Sequence, residues 1–98
     1  SACRAMVEAG ADVAIVGGRP TKDTVRLSCR CTHEFQERTG LSMGKDVMEL
    51  LGTVIEGTGG GHANAAGANG KKNLDLALTR AVELIRIGLA ERTQDKTP

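Results

Sequence analysis

The chain has 98 residues, which suits one small domain, and its 40% hydrophobic and 26% charged residues are ordinary globular usage. This composition argues against both a disordered chain and a membrane protein. Thirteen basic against twelve acidic residues give a net charge of +1, and Phe35 is the only aromatic residue, so neither a long-range positive field nor stacking of bases on aromatic rings is available to gather nucleic acid.

The predicted elements begin with a short helix over residues 2–9, which Gly10 ends. An apolar, β-branched run at residues 12–17 predicts a buried strand, and Pro20 lies in the turn that follows it. Residues 24–32 alternate between apolar and polar side chains, as a half-buried strand does. Because the connection between the two strands is short, we expect them to pair as an antiparallel hairpin.

The alternation divides the second strand into two faces. The apolar face carries Val25, Leu27, Cys29 and Cys31, and the polar face carries Arg26, Ser28, Arg30 and Thr32. Cys29 and Cys31 have the spacing of a C-x-C metal clip, but their place beside Leu27 favours packing in the core. Arg30 or Arg26 could grip a phosphate or carboxylate with its planar guanidinium, although an exposed arginine is most often a solvated surface residue.

Two further helices are predicted in the second half of the chain. Residues 33–44 are polar and are predicted to be a connection, whereas apolar residues at three- and four-residue spacing predict an amphipathic helix over 45–56. A glycine-rich segment follows at 57–70 and contains a candidate short strand. The last helix is predicted over 74–90, and the polar tail 91–98 is expected to fray.

These elements predict one small α/β domain over residues 1–98, in which helices pack on a central β-sheet with a strand hairpin and a glycine-rich loop lies between the last two helices. Because the chain starts at Ser1 and is already helical there, we expect it to be a fragment of a longer protein. Three cysteines form no disulfide framework, and no apolar run reaches the roughly 20 residues of a membrane span, so the expected location is the cytoplasm, away from membranes.

The segment best suited to binding an anion consists of Gly59, Gly60, Gly61 and His62. Successive glycines allow backbone N–H groups to turn towards one anion, and His62 can add a hydrogen bond or a positive charge. A flexible turn is the alternative, but the small residues that continue to Ala68 favour close approach between two backbones or between backbone and ligand. His33 could face the same site, although a histidine in a loop is usually an exposed residue without a binding role.

Together, the strand residues 27–31, the helix after them and the GGGH-x-x-AAGA string at 59–68 resemble the DHH-associated C-terminal domain of DHH-family phosphoesterases. That family includes RecJ-like exonucleases, oligoribonucleases and cyclic-dinucleotide phosphodiesterases. The residues at 32–34 and 40–44 make the chain most similar to the archaeal RecJ-like branch. The order of the flanking helices and strands agrees with the family.

The resemblance implies a substrate-binding role. In that family the domain faces a catalytic DHH domain of the same polypeptide, whose Asp and His residues bind two manganese ions, while the glycine-rich loop holds the substrate phosphate. Carried over, the substrate-binding residues are Arg30, Gly59, Gly60, Gly61, His62, Ala66 and Gly67, and His62 could also assist at the phosphate. The implied partner is single-stranded nucleic acid or a short oligonucleotide. Since the chain lacks the Asp-His-His motif, we expect it to bind no metal and not to catalyse alone.

Two other functions stay open. A related domain of alanyl-tRNA synthetase serves RNA binding or dimerisation, but the family resemblance implies a loop there without the GGGH-x-x-AAG string, so His62 favours the phosphoesterase. A stand-alone regulatory or scaffold domain is the third function, and binding of a phosphate-bearing ligand at the loop would exclude it. The motifs do not choose between DNA, RNA, cyclic dinucleotide and nucleoside bisphosphate as substrate.

Overall fold

The computed structural model describes residues 2–8 and 10–95. These residues form four helices, the third of which begins as a π-helix, and four strands. In chain order the elements are α1 (Ala2–Glu8), β1 (Val13–Gly18), β2 (Val25–Cys31), α2 (His33–Thr39), the π-helix (Met43–Met48) that continues into α3 (Glu49–Val54), β3 (Thr58–Gly61), β4 (Ala65–Gly70) and α4 (Leu74–Asp95).

The four strands form one antiparallel sheet in the order β1-β2-β4-β3. The predicted small α/β fold is confirmed, and so is the hairpin of β1 and β2, in which Val13 pairs with Cys31 and Gly18 with Arg26. The π-helix, α3 and α4 pack on one face of the sheet, called the inner face here. Helix α1 lies against β1 and β2 on the opposite side, called the outer face.

The inner face holds the core. Alternation along β2 directs Val25, Leu27, Cys29 and Cys31 inwards, and all four are buried. They pack against buried residues of the helices and of the segments that flank them: Phe35, Leu41, Met43, Val47, Met48, Leu51, Ile55, Ala77 and Ala81. Burial of each large side chain contributes roughly 1.5–3 kcal/mol, so this face fixes how the helices sit on the sheet. Helix α1 covers part of the outer face beside β1 and β2, and the rest of that face is available for other contacts.

Helix α2 is an element that the sequence pattern does not predict, because residues 33–44 have the polar character of a connection. The helix has few apolar residues, and its periodicity is therefore weak. It is held by its caps and by two buried residues, Phe35 and Thr39. The Thr32 hydroxyl accepts a hydrogen bond from the Phe35 N–H at 3.0 Å, and Gly40 ends the helix at φ 71°.

The glycine-rich segment also differs from its prediction. The sequence predicts a loop with one short strand, whereas the segment forms a hairpin of two strands, β3 and β4. Glycine and alanine have low strand propensity, so the sequence pattern contains little sign of β3. The pairing of β4 with the central strand β2 and the helix packed against β3 override that preference.

Helix α4 confirms the last predicted helix, although it extends to Asp95 rather than ending near residue 90. Residues 96–98 of the tail that is expected to fray lie outside the described residues. In the described part of the chain, no helix combines the length and the apolar character that crossing a bilayer requires.

Candidate phosphate-binding site

Arg30 and His62 lie at the two ends of one row across the sheet. Arg30 pairs with Ala65 between β2 and β4, and the backbone N–H of His62 donates to the Ala65 carbonyl at 2.8 Å just beyond the end of β3. Two strand spacings of about 4.8 Å separate the backbones of Arg30 and His62 by roughly 10 Å. Between them stands only the methyl group of Ala65, which leaves room for a ligand that both side chains could reach.

The neighbouring row of the outer face is even less obstructed. Ser28 pairs with Gly67, and Gly67 pairs with Gly60. A side chain at Gly60 would meet no atom within 4 Å, so the space above this glycine is open. The backbone surface at Gly67 and Gly60, which lies next to the row of Arg30 and His62, can admit a phosphate close to the main chain.

The other two glycines of the triplet face the helices. A Cβ atom at Gly59 would collide with the carbonyl of Met48, so only glycine allows the π-helix to lie this close to β3. Gly61 has φ 137° and faces Ala66, whose side chain packs against the core. Packing therefore accounts for Gly59, Gly61 and Ala66. Of the predicted substrate-binding residues, Arg30, Gly60, His62 and Gly67 share the outer face.

The turn that presents His62 is fixed by the start of the π-helix. The backbone N–H of Met43 donates to the Ala63 carbonyl at 2.8 Å, and the N–H of Gly44 donates to the His62 carbonyl at 3.1 Å. A Cβ atom at Gly44 would collide with the Gly61 carbonyl, so this contact also requires glycine. Met43 and Gly44 are supports of the site that the sequence pattern does not predict, because they fall in the segment with the character of a connection.

A signal for this support is nevertheless present in the sequence. Ser42 begins the π-helix by accepting a hydrogen bond from the Lys45 N–H at 3.2 Å, and Asp46 accepts one from the Ser42 N–H at 2.7 Å. A serine followed by an acidic residue one turn later is typical of a helix start. The helix start could have been placed at Ser42 from this pattern, before the first residue of the predicted helix.

The side chains at the two ends of the row are not used by the fold. His62 is exposed, Arg30 is half-buried, and in the described part of the chain neither side chain forms a hydrogen bond or an ion pair. His33 stands at the edge of the site, where its Nε2 lies 3.5 Å from the Asn64 Nδ2. The turn from His62 to Asn64 is thus flanked by a second imidazole.

The three cysteines belong to the packing of the sheet. Burial raises the pKa of Cys29 to about 12 and also raises the pKa values of Cys3 and Cys31, so all three remain thiols at neutral pH. Core packing of Cys29 and Cys31 is confirmed, and Cys3 of α1 donates to the Ser28 carbonyl at 3.3 Å on the outer face. Among residues 2–8 and 10–95, no three His, Cys, Asp or Glu side chains lie close enough together to hold a metal ion.

Comparison with known proteins places these features in a family. The family model of the DHHA1 domain matches residues 2–87. The uncharacterized protein MJ0988 of Methanocaldococcus jannaschii is 36% identical over 70 residues, which is 70% of this chain. The match covers 20% of that protein, so this chain corresponds to a small part of its length.

A solved structure shows the same fold. The C-Ala domain of alanyl-tRNA synthetase from Aquifex aeolicus matches with a TM-score of 0.60, over 87% of this chain and 73% of that chain. The two sequences are 23% identical in this comparison, so the likeness concerns the arrangement of helices and strands.

Proposed function

The chain belongs to the DHHA1 domain family, and we propose that it is the substrate-binding domain of a manganese-dependent DHH-family phosphoesterase, close to the archaeal RecJ-like single-strand exonucleases. Its ligand is the phosphate of a single-stranded nucleic acid or short oligonucleotide. Arg30 and His62 grip the phosphate from opposite sides, and Gly60 and Gly67 let it approach the backbone.

The row with Arg30 at one end and His62 at the other is the observation that carries this proposal. Arg30 and His62, whose side chains have no hydrogen-bond or ion-pair partner in the described chain, lie on either side of Ala65 and next to the glycine row of Gly67 and Gly60. Arginine offers a phosphate two parallel N–H groups, and histidine can donate to a third oxygen.

The alternative is a role in RNA binding or dimerisation, as in the related domain of alanyl-tRNA synthetase. The likeness to the C-Ala domain fits both functions, because it concerns the fold alone. His62 favours the phosphoesterase, since its turn is held by backbone bonds to the π-helix while its imidazole contributes nothing to that support. Such an arrangement suits the presentation of a side chain to a ligand.

Manganese in this proposal is bound by a DHH catalytic domain of the same polypeptide. The described residues of this chain do not fit such an ion, because they contain no cluster of three metal-ligating side chains. The ions supply an activated water and stabilise charge on the phosphate during hydrolysis. The role of this chain is to hold the phosphate in place opposite that domain.

We expect the 98-residue chain on its own to show no phosphodiesterase activity with manganese. Two-metal hydrolysis needs a cage of carboxylate and imidazole ligands, which the described residues do not provide. Release of nucleotides from a 5′-phosphorylated oligonucleotide measures the activity, with the full-length polypeptide as positive control. Turnover by the purified chain that a chelator abolishes would contradict the assignment of the metals to another domain.

We expect the same chain to bind a 5′-phosphorylated oligonucleotide weakly and with strong salt dependence. The net charge is only +1 and no aromatic platform is present, so phosphate contacts supply most of the affinity. Titration followed by amide chemical shifts tests the site: the largest changes should fall at Gly60 to His62 and near Arg30. Shifts confined to the other side of the sheet, or a tight complex insensitive to salt, would refute the proposed site.

A further inference from the structure

A second group of basic residues lies farther along the same outer face. A depression of about 310 Å³ opens at the end of the β1–β2 hairpin, lined by Val16, Gly17, Gly18, Arg19, Pro20, Arg26 and Ser28. Its lining includes two arginines and no acidic residue. We propose that this depression binds a second phosphate of an oligonucleotide whose terminal phosphate lies between Arg30 and His62. This proposal rests on the function given above.

The shape of the depression follows from the pairing of β1 with β2. Gly18 stands opposite Arg26, and a Cβ atom at Gly18 would meet nothing within 4 Å, so this end of the outer face is open beside the arginine. The turn that follows β1 closes one end of the depression. It is held by hydrogen bonds between Thr21 and Thr24, including one from the Thr21 N–H to the Thr24 hydroxyl at 3.0 Å.

Arg26 is held in position over the sheet. Its Nε donates to Oδ1 of Asn69 on β4 at 3.1 Å, and Asn69 is the residue that pairs with Arg26 across the strands. This bond uses only one of the five guanidinium N–H groups, so the four on the terminal nitrogens remain for a ligand. An arginine already fixed by a neutral partner loses little freedom when it binds an anion.

The charges on this face are not neutralised by neighbours. The ion pairs found among the described residues join Arg4 to Glu8, Lys72 to Glu56 and Arg80 to Glu83. None of them involves Arg19, Arg26 or Arg30. The depression therefore offers an anion two arginines that form no ion pair among the described residues, although the whole chain is nearly neutral.

The distance between the two groups of residues defines the ligand. Arg30 and Arg26 are four residues apart on an extended strand, which places them roughly 13 Å from each other at 3.3 Å per residue. Because Arg26 is bonded to Asn69 in its own row, a phosphate bound beside it lies in a different row of the sheet from one bound beside Arg30. The two phosphates of a nucleoside bisphosphate are attached to one sugar, whereas an oligonucleotide carries phosphates along an extended backbone. A ligand with phosphates along an extended backbone, such as a single-stranded oligonucleotide, therefore suits two sites separated in this way.

A double variant, Arg19→Ala with Arg26→Ala, tests the second subsite in the full-length polypeptide. Affinities for deoxyadenosine 5′-monophosphate and for a 5′-phosphorylated hexamer of deoxyadenylate are measured in chelator, so that no hydrolysis occurs. We expect the hexamer to bind about 10-fold or more weaker, as when hydrogen bonds to a charged group are removed, and the monophosphate to bind as before. The slope of log K against log salt for the hexamer should flatten by about 0.7 for each phosphate that the variant no longer neutralises.

Arg80→Ala is the matched control, because Arg80 is an exposed arginine on α4 that pairs with Glu83. It should leave both affinities unchanged. Unchanged hexamer affinity in the double variant, or an equal loss for both ligands, would overturn the second subsite while leaving the proposed function in place. The proposed function fails by a different result, namely wild-type affinity for both ligands in His62→Ala.

Discussion

Replacement of His62 by alanine in the full-length polypeptide is expected to slow phosphodiester hydrolysis by roughly 100-fold or more, the scale seen when one preorganised donor to a charged transition state is removed. The imidazole is exposed and hydrogen-bonds to nothing in the described part of the chain, so the fold should not depend on it. The turn around it is held by backbone bonds from Met43 and Gly44, which the substitution leaves in place. The melting temperature should therefore stay the same.

Single-turnover rate and thermal melting, measured on one preparation, distinguish a role of His62 at the phosphate from a role in stabilising the fold. A His62→Asn variant serves as the comparison, because its amide keeps an N–H donor and should retain part of the rate. A stable alanine variant with an unchanged rate would remove His62 from the site. A lower melting temperature with a normal rate per folded molecule would show that the imidazole supports the fold instead.

Alanine at Gly59 and alanine at Gly60 are expected to act in opposite ways. At Gly59 the new methyl group collides with the Met48 carbonyl, and because backbone cannot move aside by changing rotamer, we expect a loss of roughly 2–3 kcal/mol in the free energy of unfolding. At Gly60 the methyl group enters open space, so stability should stay close to the wild-type value. It occupies the floor of the proposed phosphate site, however, and oligonucleotide affinity should fall.

Urea denaturation of both variants, together with binding of the 5′-phosphorylated hexamer, measures this contrast. The two substitutions add the same atom at adjacent positions, so each is the control for the other. Equal destabilisation would mean that the outer face above Gly60 is covered by other parts of the protein. Full affinity in Gly60→Ala would show that no ligand approaches the backbone there.

The sequence was most informative where side chains alternate or recur. The two faces of β2 followed from period two, and they correctly placed Cys29 in the core and Arg30 on the opposite face. The last helix followed from its apolar spacing in the same way. Alternation thus made Arg30 a candidate, whereas His62 became one because it follows three glycines.

The sequence could not reveal what depends on contacts between distant segments. All three glycines of the triplet look alike as residues, yet Gly60 faces open space while Gly59 lies beneath a helix, a difference that arises from tertiary packing. The role of Gly44 was hidden for the same reason, since it contacts Gly61 across the hairpin. Arg26 and Arg19 became one group only when the register of β1 and β2 placed them around the same depression.

The close fit of the π-helix against β3 also affects how the hairpin finds its alignment during folding. β3 and β4 have almost no side chains with which cross-strand pairs normally select one alignment over another. A slip of β3 by one residue in one of the two directions would bring Thr58 to the place of Gly59 beneath the Met48 carbonyl, where no side chain fits. The helix thus favours one alignment of the hairpin, and local unfolding of the helix would release the backbone bonds that hold the turn carrying His62.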